Sequence, residues 1–141
     1  MVRVPEISRA LKIGRIQLMC VEYGYNEKFI NNPERKIPIE FSLTPKVKRF
    51  KKEKKAIVSL ELKLFKKNVK DFPIWAKIKN QAEFEWDIDD KIAETLLETA
   101  APAHLLSYIR PLLSQLTTMS DLPALIIPLI NFKSKKEDST I

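Results

Sequence analysis

The chain has 141 residues, of which 45% are hydrophobic and 30% charged, and its formal net charge is +7. This balance is typical of a folded globular chain, argues against a disordered one, and predicts a single domain at this length. The single cysteine, Cys20, excludes an internal disulfide framework, and the longest apolar run, Leu122–Ile130, is far shorter than the ~20 residues of a membrane span.

Four segments alternate apolar and polar residues in the way that predicts β-strands. The first is Leu11–Tyr25, whose phase slips near Gly14, where a bulge is expected. The second is IPIEFSL at 37–43, the third covers 58–64, and the fourth starts at Ile74 and has apolar residues at most even positions up to Ile88. Successive strands with short connections favour an antiparallel meander over β–α–β units.

After Asp90 the apolar period becomes helical. Ile92, Leu96 and Leu97 predict a short helix, and Pro102 suits the first turn of a second one. Pro111 lies inside the second helix and is expected to kink it. A broad apolar stripe follows at spacings of three and four residues: Leu105, Leu106, Ile109, Leu112, Leu113, Leu116 and Met119.

The segment from Leu122 to Phe132 is almost without polar residues, and Pro123 and Pro128 prevent it from being helical throughout. We expect it to run extended beside the long helix and to form a trough that holds apolar segments of other chains, because apolar burial is non-directional. The fold class predicted is therefore α+β: a four-stranded antiparallel meander sheet followed by a long C-terminal helix and an extended apolar loop. Apolar surface in excess of what one chain buries predicts oligomerisation.

Catalytic and metal chemistry find little support in the sequence. His104 is the one histidine, and a lone histidine at a helix start is more often structural than catalytic, since acid–base work needs a positioned partner. Cys20 lies mid-strand with no histidine nearby in sequence, which predicts a buried, inert thiol. Cys and His residues do not occur at metal-binding spacings, and two glycines make no phosphate-binding loop. We predict a protein that is not an enzyme and needs no cofactor.

Two charged segments each have two interpretations. The run PKVKRFKKEKK at 45–55 holds seven Lys or Arg, and it is either a phosphate-binding patch or a solvated hairpin loop that protects a sheet edge. The loop is favoured, because a nucleic-acid site needs aromatic residues among its cations and only Phe50 is present. Residues 83–98 hold seven carboxylates at a spacing unlike that of a calcium loop. A solvated strand edge and a helix start explain them.

The C-terminal third contains a helix with Leu105, Tyr108 and Arg110, a Thr117-Thr118 exit, a Pro123-Ala124-Leu125 loop and a final Asn131-Phe132. This order resembles that of the export chaperone family SecB, whose helix carries Leu-x-x-Tyr-x-Arg and is followed by Pro-x-Leu and Asn-Phe. Gly14-Arg15-Ile16 is similar to the Gln-Arg-Ile type of first strand in that family. The order of elements agrees over positions 11 to 132.

The chain departs from the SecB pattern at several positions. In the first strand, Cys20-Val21-Glu22-Tyr23-Gly24 stands where the family usually has Asp-Ile-Ser-Phe-Glu, and Ser120 replaces the usual Gly at the helix exit. In the fourth strand, Ala76-Lys77-Ile78 replaces Cys-Glu-Val. The acidic positions by which SecB docks on the motor ATPase of the translocase are thus absent, and a lysine there turns attraction into repulsion. The second long helix of the family is missing as well.

The resemblance implies an ATP-independent holdase that binds unfolded or precursor polypeptides and makes or breaks no covalent bond. It also implies a homotetramer built as a dimer of dimers. We expect a cytoplasmic protein without a signal peptide, with one SecB-like domain over 1–132 and a polar, flexible tail over 133–141. Two narrower roles remain open: protein export, and custody of a single client such as an antitoxin. The alternative from another class is a basic nucleic-acid-binding protein that acts through segment 45–55.

The predicted client-binding residues lie on the first strand and the crossover after it, on the second strand, and on the apolar loop. They are Val21, Tyr23, Tyr25, Phe29, Ile37, Ile39, Phe41, Ile126, Ile127, Ile130 and Phe132.

Overall fold

The computed structural model describes residues 10–30, 40–64, 72–120, 126–128, 130 and 132. They form an antiparallel sheet followed by two helices, and the longer helix packs on one face of the sheet. The strands are β1 (Leu11–Ile13), β2 (Gln17–Tyr25), β3 (Phe41–Phe50), β4 (Lys55–Leu64) and β5 (Ile74–Trp86), and the helices are α1 (Asp90–Glu98) and α2 (Ala100–Met119). The α+β class, with an antiparallel sheet and a long C-terminal helix, is confirmed.

The strand order is β1–β5–β4–β3, and β2 also pairs with β5. The predicted meander is therefore found in β3, β4 and β5, whereas the first segment pairs with the last strand instead of the next one. Residues 26–40 separate β2 from β3 and are long enough to cross the width of the sheet. The first segment also divides into β1 and β2, so the described residues form five strands where four were predicted. The division lies near Gly14, where a phase slip was predicted, and the Gly14 amide donates to Glu83 O over 2.7 Å.

The core lies on one face of the sheet, which we call the inner face. Val58, Leu60, Leu62 and Leu64 of β4 are all 0% exposed, as their alternation predicts. They pair in register with the even-numbered residues of β5, and α2 packs over both strands. The helix contributes the buried side chains Leu105, Leu106, Ile109 and Leu113.

β3 corrects the predictions for the second strand and for the basic loop. The strand was expected at 37–43 but runs from Phe41 to Phe50, while 37–39 lie outside the described residues. More than half of segment 45–55 is therefore strand, and the connection to β4 is a short 3₁₀ turn ending at Lys54, whose φ is 53°. The lysines and Pro45 of this segment are not typical of a strand, so the apolar–polar alternation did not predict one here. Pro45 is tolerated because β3 is an edge strand, where a missing N–H need not cost a ladder bond.

The helices begin and end close to where the pattern predicts. Pro102 lies in the first turn of α2, and α2 continues through Pro111 to Met119. The apolar stripe is not buried along its whole length, because Met119 is 76% exposed. No helix in the described part of the chain is long and apolar enough to cross a membrane.

Candidate functional site

Side chains of four strands form rows across the inner face near the end of α2. One row consists of Tyr23, Ala76, Leu64 and Phe41, which are paired in register from β2 to β3. The two central residues are buried, whereas Tyr23 and Phe41 at the ends of the row are half-buried and pack against the core. These two residues come from different predicted segments, and the sheet places them about 14 Å apart on one face, three strand spacings away.

The inner face of β2 carries the exposed apolar surface that bears most directly on function. Leu18, Val21 and Tyr25 are 57%, 39% and 55% exposed, and Tyr23 between them is half-buried. All four lie on the inner face, because they pair with Asn80, Ile78, Ala76 and Ile74 of β5. We call Leu18, Val21, Tyr23 and Tyr25 the β2 apolar row. It is exposed because α2 packs on β4 and β5 and leaves much of β2 uncovered.

Leu18 was missed by sequence reasoning. Simple alternation puts Leu18 and Val21 on opposite faces, but a register shift between Leu18 and Cys20 brings both to the inner face. Because both phases of this segment are rich in apolar residues, alternation alone does not reveal the shift. Cys20 consequently pairs with Lys79 on the outer face and is half-buried, not buried as predicted; its Sγ lies 3.7 Å from Glu22 Oε2.

The predicted residues of the crossover and the second strand are only partly described. Phe29 is half-buried in the turn after β2, where its amide donates to Asn26 O over 2.9 Å. It therefore follows directly on the exposed end of the β2 apolar row. Ile37 and Ile39 lie outside the described residues.

The apolar loop presents its residues in two directions. Ile126 is 62% exposed, whereas Ile127 is fully buried in the core. Arg110 of α2 fixes this arrangement, because its Nε donates to Ile127 O over 2.8 Å. Ile130 and Phe132 are half-buried and pack against the core. Of the loop residues predicted to bind clients, Ile126 is thus accessible in this chain, and Ile127 belongs to the core.

Arg49 connects the edge strand β3 to α1. Its guanidinium forms an ion pair with Glu94, and a second carboxylate, that of Glu98, lies 3.4 Å away. The hydrogen bond from Arg49 lowers the pKa of Glu94, and burial partly opposes that effect. Arg49 faces inward because it pairs with the buried Ala56. Arg49, one of the cations of segment 45–55, therefore links strand β3 to helix α1.

Two further cations of segment 45–55 also face carboxylates. Lys55 Nζ lies 3.4 Å from Glu85 Oε1, and Lys54 Nζ lies 3.8 Å from Asp90 Oδ1. The acidic segment 83–98 and the basic hairpin thus neutralise each other in part. In the described residues no group of three His, Cys, Asp or Glu side chains is arranged to hold a metal ion.

The outward side of α2 has few charges for a surface helix. Arg110 is the one Lys, Arg, Asp or Glu in its sequence, and that side chain is directed to Ile127. Tyr108 and Met119 are 52% and 76% exposed. His104 contacts Tyr108 edge to face, with ring centroids 5.5 Å apart, and burial lowers the pKa of His104. After the β2 apolar row, this neutral side of α2 is a second surface that exposes large apolar side chains.

No protein-family model and no curated protein matches the sequence. Among solved structures, the chain is similar to the Mycobacterium tuberculosis SecB-like chaperone Rv1957 in complex with a ChAD peptide from the Rv1956 HigA1 antitoxin. The TM-score is 0.67 and the identity 16%, over 89% of this chain and 95% of that chain. A Streptococcus agalactiae protein of unknown function is 14% identical over 84% of this chain and 96% of that chain, with a TM-score of 0.46. The resemblance predicted from the sequence is confirmed at the level of architecture: this chain has a SecB-like fold.

Proposed function

We propose that the protein is an ATP-independent chaperone that holds non-native, apolar segments of client polypeptides. The β2 apolar row is the observation that carries the proposal. An edge strand of a stable sheet exposes three large apolar side chains on the face that elsewhere forms the core. Such a surface is suited to extended segments whose apolar residues alternate as those of β2 do.

The size of the row predicts weak, reversible contacts for one chain. A client that buries about 300 Å² of apolar surface gains roughly 7.5 kcal/mol at ~25 cal/mol per Å². The loss of translational and rotational freedom removes at least about 4 kcal/mol of this gain. The remainder corresponds to a dissociation constant on the order of millimolar for one patch. Useful affinity then requires several patches on one particle, which act together through a high effective concentration.

A homo-oligomer supplies those patches. We propose that the neutral side of α2 packs against a second copy, and that the assembly is a tetramer built as a dimer of dimers. The exposed side chains Tyr108 and Met119 and the lack of charge on that side support this interface. We further propose that the protein acts in the cytoplasm, that residues 1–132 form one domain, and that 133–141 form a flexible tail.

Custody of a dedicated client is the narrower role that we favour. The Mycobacterium tuberculosis neighbour is a SecB-like chaperone in complex with an antitoxin peptide. Export is the alternative, and it requires docking on the translocase motor ATPase. Lys77 stands at a position where the SecB pattern has a docking acid. Its Nζ lies 3.8 Å from Glu22 Oε2, so the Glu22 carboxylate already faces a cation. Binding to the isolated motor ATPase at low salt would favour export over custody.

Nucleic-acid binding through segment 45–55 is the alternative from another class. The ion pairs of Arg49, Lys54 and Lys55 with carboxylates of 83–98 work against it, because a phosphate would have to compete with them. We therefore propose polypeptide clients and no nucleic-acid partner.

A charge-insertion pair tests the proposal. Val21→Asp places a carboxylate within the β2 apolar row, and Ser42→Asp places one on the exposed outer side of edge strand β3, opposite Lys63. In an assay that measures suppression of aggregation of a reduced, unfolded client, Val21→Asp is expected to lose most of the activity. Ser42→Asp is expected to retain it. Equal activity in both variants, with both folded, would contradict client binding at the row.

A further inference from the structure

α2 ends in a hydroxyl–hydroxyl contact with β2. Tyr23 Oη lies 2.7 Å from Ser120 Oγ, and Ser120 Oγ donates in turn to Leu116 O over 3.1 Å. A serine hydroxyl has one proton. Because Ser120 gives that proton to Leu116, Tyr23 is the donor in the first bond. The protons therefore point from the edge strand toward the helix.

This contact caps the last turn of the helix. The final carbonyls of an α-helix have no amide partner within it. The Ser120 amide donates to Thr117 O over 3.1 Å, so Leu116 O receives the Ser120 hydroxyl as a donor. Hydrogen bonds in such a chain strengthen one another. The position of the helix end is thus tied to the phenol of a residue 97 positions away in sequence.

The same contact interrupts the β2 apolar row. Tyr23 is half-buried, whereas Val21 before it and Tyr25 after it on the same face are 39% and 55% exposed. The row from Leu18 to Tyr25 would be about 24 Å long at ~3.4 Å per residue if fully extended. With the helix end held at Tyr23, an extended client has access to the two parts of this row but not to one continuous surface.

We propose that the Tyr23–Ser120 hydrogen bond is a clasp that selects clients by length: it divides the row when closed and must open before a long apolar segment can occupy all of it. This inference rests on the proposed function and adds a specificity device to it. Both hydroxyls stand where the SecB pattern has residues without one, Phe in the first strand and Gly at the helix exit. The clasp is therefore a feature of this chain and not of the pattern it resembles.

Two labelled peptides of alternating Leu and Ser test the clasp, one of about four residues and one of about nine. Tyr23→Phe removes the donor and keeps the ring, and Ser120→Ala removes the acceptor. Thr118→Ala is the control, because it removes a hydroxyl that donates to Ser114 O at the end of the same helix and lies outside the β2 apolar row. Tyr23→Phe and Ser120→Ala are expected to bind the long peptide roughly threefold to tenfold more tightly than wild type, the range for one hydrogen bond. Affinity for the short peptide is expected to stay unchanged in every variant, and Thr118→Ala is expected to bind both peptides as wild type does. The double variant is expected to match Ser120→Ala, because Tyr23→Phe has no bond left to remove once the Ser120 hydroxyl is gone.

Two results would overturn the clasp and leave the proposed function in place. In one, wild type binds the long peptide and Tyr23→Phe binds it no more tightly. In the other, Tyr23→Phe binds both peptides more tightly by the same factor. The absence of binding by every variant and by wild type would contradict the proposed function and the clasp together. Urea midpoints of the variants show whether each is folded. If Tyr23→Phe does not fold, the affinity of Ser120→Ala for the two peptides tests the clasp instead.

Discussion

The indole ring of Trp75 lies directly on the backbone of Gly24. A Cβ atom built at Gly24 would be 2.6 Å from Cε2 and from Nε1 of that ring, closer than side-chain carbons approach one another. The two residues pair in register between β5 and β2. Gly24 thus permits a close contact that helps to fix the end of β2 that carries Tyr25 of the β2 apolar row.

Gly24→Ala is expected to destabilise the fold by about 1–3 kcal/mol, because either the Trp75 ring or strand β2 must move. The free energy of unfolding in urea measures the loss, and tryptophan fluorescence of the folded state reports the displaced ring. Gly14→Ala is the comparison: its Cβ would lie 3.3 Å from Glu83 O, so a smaller loss is expected. Equal losses for the two variants would show that the contact with Trp75 is not the cause.

The strands at the centre of the sheet were predictable from sequence. β4 and β5 have mostly polar residues on one face and buried, mostly apolar residues on the other, so alternation predicts both strands and most of their buried residues. The two helices followed from the change of period and from Pro102. These features depend on local pattern, which the sequence carries directly.

The pairing of the edge strands and the details of the site were not predictable in the same way. Alternation predicts which face a residue occupies but not which strand lies beside it, so the pairing of β2 with β5 was missed. The register shift after Leu18 and the opposite exposures of Ile126 and Ile127 depend on contacts distant in sequence. The Tyr23–Ser120 bond depends on where the helix ends over the sheet, which no local pattern encodes.

The ion pair of Arg49 with Glu94 predicts an acid-dependent loss of stability. The pKa of Glu94 is lowered from its ordinary 4.5, so its contribution is present above pH 4.5 and is lost as the pH falls through the folded-state value. Arg49→Met is expected to reduce stability at pH 7 by about 1 kcal/mol or less, since both side chains are partly exposed. The difference from wild type should shrink below about pH 4.5. Urea midpoints from pH 7 to pH 3 measure this, and Lys46→Met on the solvent-exposed side of β3 should follow wild type throughout.

His104 predicts a second pH dependence at a higher pH. Burial lowers the pKa of His104 from its ordinary 6.5, so the folded state favours the neutral ring. The unfolded chain then takes up the proton first as the pH falls. Stability is complete above pH 6.5 and is lost as the pH falls toward the lower folded-state value. His104→Gln is expected to flatten the urea midpoints between pH 7.5 and pH 5, and a slope equal to that of wild type would assign the dependence to other groups.

The neutral side of α2 predicts self-association. Tyr108→Glu inserts a charge on this side and is expected to lower the mass measured by light scattering, because a carboxylate buried without a partner is costly. Ile92→Glu is a matched change at a residue of similar exposure on α1, 56% against 52% for Tyr108, and is expected to keep the wild-type mass. A wild-type protein that remains monomeric at all concentrations would contradict the proposed assembly.

The dependence of client affinity on salt tests the central claim most directly, since the claim is that clients bind to apolar surface on β2. The dissociation constant of an unfolded client should stay constant or fall as NaCl rises from about 50 to 500 mM, because screening does not weaken apolar burial. A steep loss of affinity over that range, with a log–log slope of several units, would contradict the account and indicate attachment through the lysines of segment 45–55.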